Sequence, residues 1–390
     1  MSEWSIPLSD LDYGIEEEEA VLRVLRSKWL SMGVEVQTFE HEFAQFLGVK
    51  HAIAVANGTA ALHLSYLALG LGSGDEIIQP AINFVAAANM TVAIGATPVF
   101  TDIISLEEPT IDPAEIENKI TPRTKAILVM HYGGYLCRMA EIWAICQRHG
   151  LALIEDSCQA VGARYSDQQH QLLHGKMAGT LSDIACFSFF SNKNLAMGEG
   201  GMVVTSRDEL AERVRLLRSH GMTTLTWDRH KGHASSYDVV MHGYNYRLDE
   251  LRAALGRSQL EKLKHNNYLR GQLVSIYRHN LTLLAGWIIP FANYPGDSAY
   301  HLMVAVSPDE VIRSRVVRVL KEAGVQTSLH YPCLPDFKSF EQYKFVDEVG
   351  RSRSFARRII TLPLFPRMTS SQVEEVCSII RKSAFQSKTN

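Results

Sequence analysis

"CFSFFSNKNLAMGEGGMVVT", residues 186–205, is the stretch on which the reading of the fold turns. Its opening belongs to "DIACFSFF", a short apolar and aromatic run of the kind that forms a buried strand. Ser188 stands near the strand end, Lys193 follows in the turn, and "GEGG" leads into a second strand, "GGMVVTS". A lysine held between a buried strand and a glycine turn loses hydration. That loss favours its neutral amine, which is a nucleophile and a Schiff-base former. Taken singly, a loop lysine is more often a solvated cation, so the rest of the chain has to decide.

Working outward, residues 50–205 alternate short apolar runs with helical stretches. "HAIAVAN" reads as a strand ending at Asn57, and "GTAALHLSYLALG" as a helix starting from its glycine. "DEIIQP", "TPVFTD", "KAILVMHYGG" and "LALIEDS" read as further strands, with "NFVAAANMTVAIG" helical between the first two. Strands separated by helices predict an α/β fold with a mainly parallel sheet covered on both faces. In such sheets ligands bind beyond the carboxyl ends of the strands. After residue 205 come a helix, "RDELAERVRLLRSHG", and a polar segment, 221–243. A long helical run then begins near Tyr246. The remainder, with "YHLMVAV", "DEVIRSRVVRVLKEAG" and "SSQVEEVCSIIRKSAF", reads as a smaller α/β unit. We place the division inside the long helix, giving a large domain 1–256 and a small domain 257–390.

Three strand ends carry candidate chemistry. At Gly58, Thr59 and Ala60 a glycine directly after a strand opens a helix, whose free N–H groups and the Thr59 hydroxyl suit a phosphate; an Asn/Gly turn with a capping Thr is the plain alternative. Glu155 and Asp156 end a buried strand, and adjacent strand residues face opposite ways, so at most one carboxylate faces a given cleft. That carboxylate would favour a protonated partner such as a pyridinium nitrogen, or simply cap a helix. Lys193 is the third. A phosphate anchor, an acid and an amine, in this order, are the parts that pyridoxal phosphate requires.

The bulk composition narrows the field. With a net charge of −3 and interspersed signs, nothing favours nucleic acid or an anionic membrane as partner. The dense run Glu16–Glu19 suits a helix N-terminus. Six cysteines lie scattered without a C-x-x-C pair, as expected of reduced thiols in the cytoplasm. The start, "MSEWSIPLSD", has no signal-peptide pattern, and no apolar run is long enough for a membrane span. His220, His230, His233 and His242 invite a metal reading, but they form no ligand-spaced pair, so no metal is expected.

The motifs in series carry a resemblance. "KWLSMGVEVQTFEHEFAQFLGVKHAIAVANGTAALHLS", "PAINFVAAANM", "GATPVFTDI", "EDSCQA", "SFFSNKNLAMGEGG", "GYNYRLDELRAALG", "LHYP" and "TLPLFP" occur in the order found in the DegT/DnrJ/StrS family. Over nearly its whole length the chain resembles these pyridoxal-phosphate sugar aminotransferases of the aspartate-aminotransferase fold, fold type I. The resemblance implies a large domain with a mainly parallel seven-stranded sheet and a smaller C-terminal α/β domain. It also implies pyridoxal 5'-phosphate as cofactor and a homodimer whose active site is shared across the interface.

Residue by residue, the resemblance implies that Lys193 is the catalytic Schiff-base lysine and proton carrier. Asp156 would pair with the pyridinium nitrogen, and Gln159 would contact the phenolic oxygen. Gly58, Thr59, Ala60 and Ser188 would form the phosphate site, and Phe84 would stack on the ring. Asn245, in "GYNYR", would reach the cofactor phosphate of the partner subunit; a helix N-cap is its plainer role. Arg247, His330 and Tyr331 would meet substrate. Ser191 and Asn192 stand where the family often has Pro-Thr. The implied reaction moves an amino group from an amino-acid donor, glutamate, to a nucleotide-linked keto sugar, a 4-keto-6-deoxy or 3-keto hexose. A cyclitol aminotransferase and a sugar dehydrase are the enzymatic alternatives; the dehydrase branch has histidine where this chain has Lys193. A non-catalytic cofactor-holding regulator is the alternative of another class.

Overall fold

The computed structural model describes residues 4–166, 171, 173–224, 236–343 and 349–385. Helices α1 (Ile15–Ser27) and α2 (Val34–Leu47) precede the sheet. The alternating region follows as β1 (His51–Val55), α3 (Gly58–Ala68), β2 (Glu76–Pro80), α4 (Ala86–Ala93), β3 (Thr97–Thr101), α5 (Pro113–Asn118), β4 (Thr124–Met130), α6 (Met139–His149) and β5 (Ala152–Asp156). Then come β6 (Ile184–Ser188), β7 (Gly201–Thr205) and α7 (Asp208–Arg218). The seven strands form one sheet in the order β1-β7-β6-β5-β4-β2-β3, with only β7 antiparallel to its neighbours. This is the α/β class that the alternation predicts.

Both faces of the sheet are buried, which explains why its strands read as apolar runs rather than alternating ones. Alternation nonetheless decides which side chain enters which layer. Along β6, Cys186 joins the layer under α3, with Ile154, Leu64 and Val203, while Phe187 points the other way. There it meets Phe43 edge-on, ring centroids 5.1 Å apart, in the layer closed by α2. Ser188 therefore returns to the α3 side, and so does Asp156, two residues beyond Ile154. Register completes the alignment: Asp156 pairs with Cys186, and Gly201 pairs with both Ser188 and Val55. Three strand ends thus converge where α3 begins.

The long helix α8 (Glu250–Leu281) starts later than the sequence reading placed it. The Asp249 side chain takes the Arg252 N–H at 2.9 Å and caps the helix there. Residues 245–247 are instead extended, with Asn245 bridged to Ser219 and Arg247 to Val55. Asn245 is thus not the N-cap. Beyond α8, β8 (Met303–Val306), α9 (Glu310–Glu322), α10 (Gly350–Arg358), β9 (Ile359–Leu362) and α11 (Ser370–Phe385) build a second layered unit. Its β8–β9 pair is antiparallel, and its core joins Tyr277 of α8 to Met303, Leu320, Ile360 and Val376. The N-terminal residues cross to this unit: Ile6 belongs to its core and bridges Val325.

The acidic run opens α1 as expected, but Glu17 does more than complement the helix dipole. It is buried and accepts from Lys262 Nζ at 2.8 Å and Gln259 Nε2 at 2.9 Å, tying α1 to α8.

Candidate active site

A cavity of about 370 Å³ opens at the converging strand ends. Gly58, Thr59, Phe84, Asp156, Gln159, Ser188, Lys193, His330 and Tyr331 all line it. The α3 end of the cavity is built by close backbone approach. A Cβ on Gly58 would lie 2.8 Å from Ser188 Cβ, and one on Gly201 would lie 2.5 Å from the Asn57 carbonyl carbon. The two glycines let the first turn of α3 settle directly on the end of β6 and the start of β7. Asn57 caps the helix, its Oδ1 accepting from Ala60 N at 2.8 Å. This corrects the expectation for Ala60: its N–H is already taken, and the residue does not line the cavity. The N–H groups of Gly58 and Thr59, in the first helical turn, have no intrahelical acceptor; Gly58 lies against Ser188, and all three residues line the cavity.

Of the two carboxylates on β5, Asp156 faces the cavity. It accepts from Cys158 N at 3.2 Å and from Asn83 Nδ2 at 3.4 Å, both neutral donors. Glu155 points to the opposite layer, where it binds His131 Nε2, Gly179 N and Leu181 N, each at 2.8 Å. Glu155 is consumed by structure, whereas Asp156 retains acceptor capacity toward the cavity.

Lys193 lies in the turn after β6, its N–H donating to the Phe190 carbonyl at 2.8 Å. Its Nζ has no hydrogen-bond or ion-pair partner among the described residues. Burial pushes the amine below the ordinary lysine value, opposed by the neighbouring Cys158 and Asp156. Opposite, Gln159 is held at both ends of its carboxamide: Oε1 accepts from Gly133 N at 2.7 Å and Nε2 donates to Tyr331 Oη at 2.6 Å. It sits in a turn rather than in a helix. Tyr132 donates to the His330 carbonyl, and His330 Nδ1 lies 3.1 Å from Thr361 Oγ1. Burial, and then the charge of Lys193, push the His330 imidazole down to about 4. Phe84 is 54% exposed at the cavity mouth, 5.9 Å from the Tyr331 ring, so it is no core residue.

Two expected residues are not brought to this cavity. Asn245 is exposed, and Arg247 is half-buried near Arg218 with no carboxylate partner among the described residues. Others were missed by sequence reading. Asn83 supports Asp156, and Met130, Cys158, Asn192 and Glu199 also line the cavity. Asn83 precedes Phe84, and its Oδ1 accepts from the Phe84 N–H at 2.6 Å, a contact with no sequence signature of its own. Residues 225–235, with His230 and His233, lie outside the described residues. Among the described residues, no group of three or more His, Cys, Asp or Glu side chains could hold a metal.

The residues fit pyridoxal phosphate: an unpartnered amine, a carboxylate held only by neutral donors, and two free N–H groups beside a hydroxyl. Such an arrangement at the carboxyl ends of a parallel sheet defines an enzyme of Schiff-base chemistry. The comparisons agree with that class. The model of the DegT/DnrJ/EryC1/StrS aminotransferase family matches residues 12–381. The spore coat polysaccharide biosynthesis protein SpsC of Bacillus subtilis (strain 168) is 39% identical over 388 residues, covering 97% of this chain and 96% of that one. Among solved structures, S. venezuelae DesV is 34% identical with a TM-score of 0.87, covering 98% of this chain and 99% of that one. Helicobacter pylori PseC, an aminotransferase involved in the biosynthesis of pseudoaminic acid, is 29% identical with a TM-score of 0.88 and the same coverage. The chain belongs to the DegT/DnrJ/EryC1/StrS aminotransferase family. It is an enzyme of the pyridoxal-phosphate-dependent sugar aminotransferase type.

Proposed function

We propose that the protein transfers the amino group of glutamate to the ketone of a nucleotide-linked hexose, a 4-keto-6-deoxy or 3-keto sugar. The observation that carries this reading is the Lys193 amine, lowered in basicity and without a hydrogen-bond or ion-pair partner among the described residues, in a cavity that Asp156, Gly58 and Thr59 also line.

When bound, pyridoxal phosphate supplies an aldehyde and an electron-withdrawing ring that stabilises negative charge at the carbon carrying the migrating nitrogen. The Gly58 and Thr59 N–H groups and the Ser188 hydroxyl bind the phosphate. Asp156 holds a proton on the ring nitrogen, and Gln159, braced by Gly133 and Tyr331, orients the phenolic oxygen. Phe84 covers the ring and limits water. Lys193 would hold the cofactor's aldehyde carbon through Nζ, and its lowered basicity raises the fraction of neutral amine. When not bonded to the cofactor, the same Nζ would move a proton from the donor carbon to the cofactor's carbonyl carbon, and in the acceptor half from that carbon to the sugar carbon.

The exposed Asn245, and Arg247 with no carboxylate partner among the described residues, support a homodimer in which each protomer completes the other's phosphate site. Tyr237, Val239 and Val240, each more than half exposed, support a partner covering this edge. All six cysteines are free, and among the described residues no helix is long and apolar enough to cross a membrane. The free cysteines support the cytoplasm as its compartment.

The test is a visible spectrum of purified protein with pyridoxal phosphate, before and after glutamate, with Lys193→Ala alongside. A cofactor band bleached by glutamate in the wild type and altered in the variant is expected. Product analysis with dTDP-, UDP- and GDP-linked keto hexoses then identifies the acceptor by mass. Turnover of a free cyclitol ketone with none of these would replace the sugar assignment.

A further inference from the structure

Asn194, next to the reactive lysine, points away from the cavity and is 6% exposed. Its carboxamide is fully engaged. Nδ2 donates to the Ala299 carbonyl at 2.6 Å and to Asn267 Oδ1 at 2.7 Å, and Oδ1 lies 2.9 Å from His301 Nδ1. A carbonyl only accepts, so Ala299 settles which end of the Asn194 carboxamide is nitrogen. Asn267 is oriented by the same logic, because its Nδ2 donates to the Val161 carbonyl at 3.0 Å and leaves Oδ1 as acceptor. His301, 5% exposed, must then donate from Nδ1, which fixes its tautomer. Each donor in this chain has one orientation compatible with its neighbours, so the network has a single arrangement.

We propose that Asn194, clamped by Asn267 and His301, is a positioning residue that fixes the backbone of Lys193 and keeps its Nζ aimed into the cavity. The clamp ties the lysine turn to α8 through Asn267 and to the approach of β8 through residues 299–301. On the other side, the Lys193 N–H is held by Phe190 and the Met197 N–H by the Phe189 carbonyl at 2.9 Å. The turn is thus anchored at both flanks while the lysine side chain itself is unpartnered. Catalytic geometry tolerates roughly half an ångström of error, so an anchored backbone matters most for an amine that must meet two carbons in turn. The inference rests on the proposed role of Lys193.

The test uses Asn194→Ala, His301→Leu and His301→Asn in the full chain. The first readout is the rate at which cofactor-free protein captures pyridoxal phosphate, followed by visible absorbance. The second is the split between kcat and the KM for glutamate, with thermal melting as a check on folding. Asn194→Ala and His301→Leu should each slow capture and lower kcat at least tenfold, with KM changed less than threefold. His301→Asn retains an N–H near the Nδ1 position and should recover both to within about threefold of wild type. Wild-type capture and kcat in Asn194→Ala and His301→Leu would overturn the proposal, as would His301→Asn as impaired as His301→Leu. If Asn194→Ala fails to fold, Asn267→Ala, at a partly exposed site, removes the outer link together with the Asn267–Val161 bond and leaves the Ala299 and His301 contacts of Asn194 in place. It should slow capture about threefold, and an unchanged rate there would also refute the clamp. Lys193→Ala separates the two levels. If it still forms a band that glutamate bleaches, the functional reading falls with the clamp; if it does not while the clamp variants match wild type, only the clamp falls.

Discussion

Replacing Gly58 by alanine tests the phosphate site at its tightest point. The added methyl would sit 2.8 Å from Ser188 Cβ, 3.2 Å from Ser188 Oγ and 3.4 Å from Cys158 Sγ. The nearest atom is a Cβ, fixed to the end of β6, so side-chain rotation alone cannot relieve the contact. Either α3 or the strand end must move, and both carry the phosphate donors. Overpacking of this kind costs about 1–3 kcal/mol. If the strain is relieved by opening the cup, pyridoxal phosphate binding weakens by about 5- to 150-fold, at roughly 1.4 kcal/mol per tenfold. Titration of cofactor-free protein with pyridoxal phosphate, followed by visible absorbance, measures that loss. Melting of the same cofactor-free protein shows whether the strain falls on the fold instead. An affinity within twofold of wild type together with unchanged melting would refute the placement of the phosphate at the start of α3.

Neighbouring carboxylates on β5 should respond in opposite ways. Asp156→Asn should leave melting nearly unchanged and slow the glutamate half reaction by about 10²–10³, read by stopped-flow absorbance, as expected for loss of a preorganised charge. Glu155→Gln should instead destabilise the protein by about 1–3 kcal/mol, seen in urea unfolding, because its amide nitrogen would face one of the three buried donors, His131 Nε2, Gly179 N and Leu181 N, that the carboxylate accepts from. His330 supplies a pH dependence. Its folded value of about 4 lies below the ordinary 6.5, so the unfolded chain takes up the proton first as pH falls. Its contribution is intact above pH 6.5, is lost between 6.5 and 4, and amounts to about 3 kcal/mol at the acid end. Urea midpoints of the cofactor-free protein across that window should fall more steeply for wild type than for His330→Gln; parallel slopes would contradict the assignment. Asn245→Ala should weaken pyridoxal phosphate binding although the residue is outside its own protomer's cavity. Mixing it with Lys193→Ala subunits should leave some sites carrying both defects and others carrying neither, restoring part of the activity, whereas no recovery in exchanged dimers would argue against a shared site.

Much of the site was legible in the chain because its rules are local. The strand preceding Lys193, the glycines after it and the turn at Asn57–Gly58 depend on residues only a few positions apart. The period of two in a strand established that Glu155 and Asp156 serve different layers, but only the position of α3 decided that Asp156 faces the cavity. Ala60 was misjudged because a free N–H and a capped one look alike in sequence; the Asn57 side chain took it. The start of α8 was misplaced for a similar reason, since residues 245–247 have helix-compatible neighbours but are held extended by Val55 and Ser219.

By itself, then, the sequence determined the alternation of strands and helices, the order of the chemical groups along them, and the lysine turn, all consequences of short-range backbone preference and hydrophobic period. Tertiary structure alone decided what those groups touch. Asn194 meets His301 across 107 residues and Asn267 across 73, pairings that no local pattern encodes. Such contacts follow from how whole layers pack, because a buried polar group takes whichever partner the surrounding fold brings within hydrogen-bond reach.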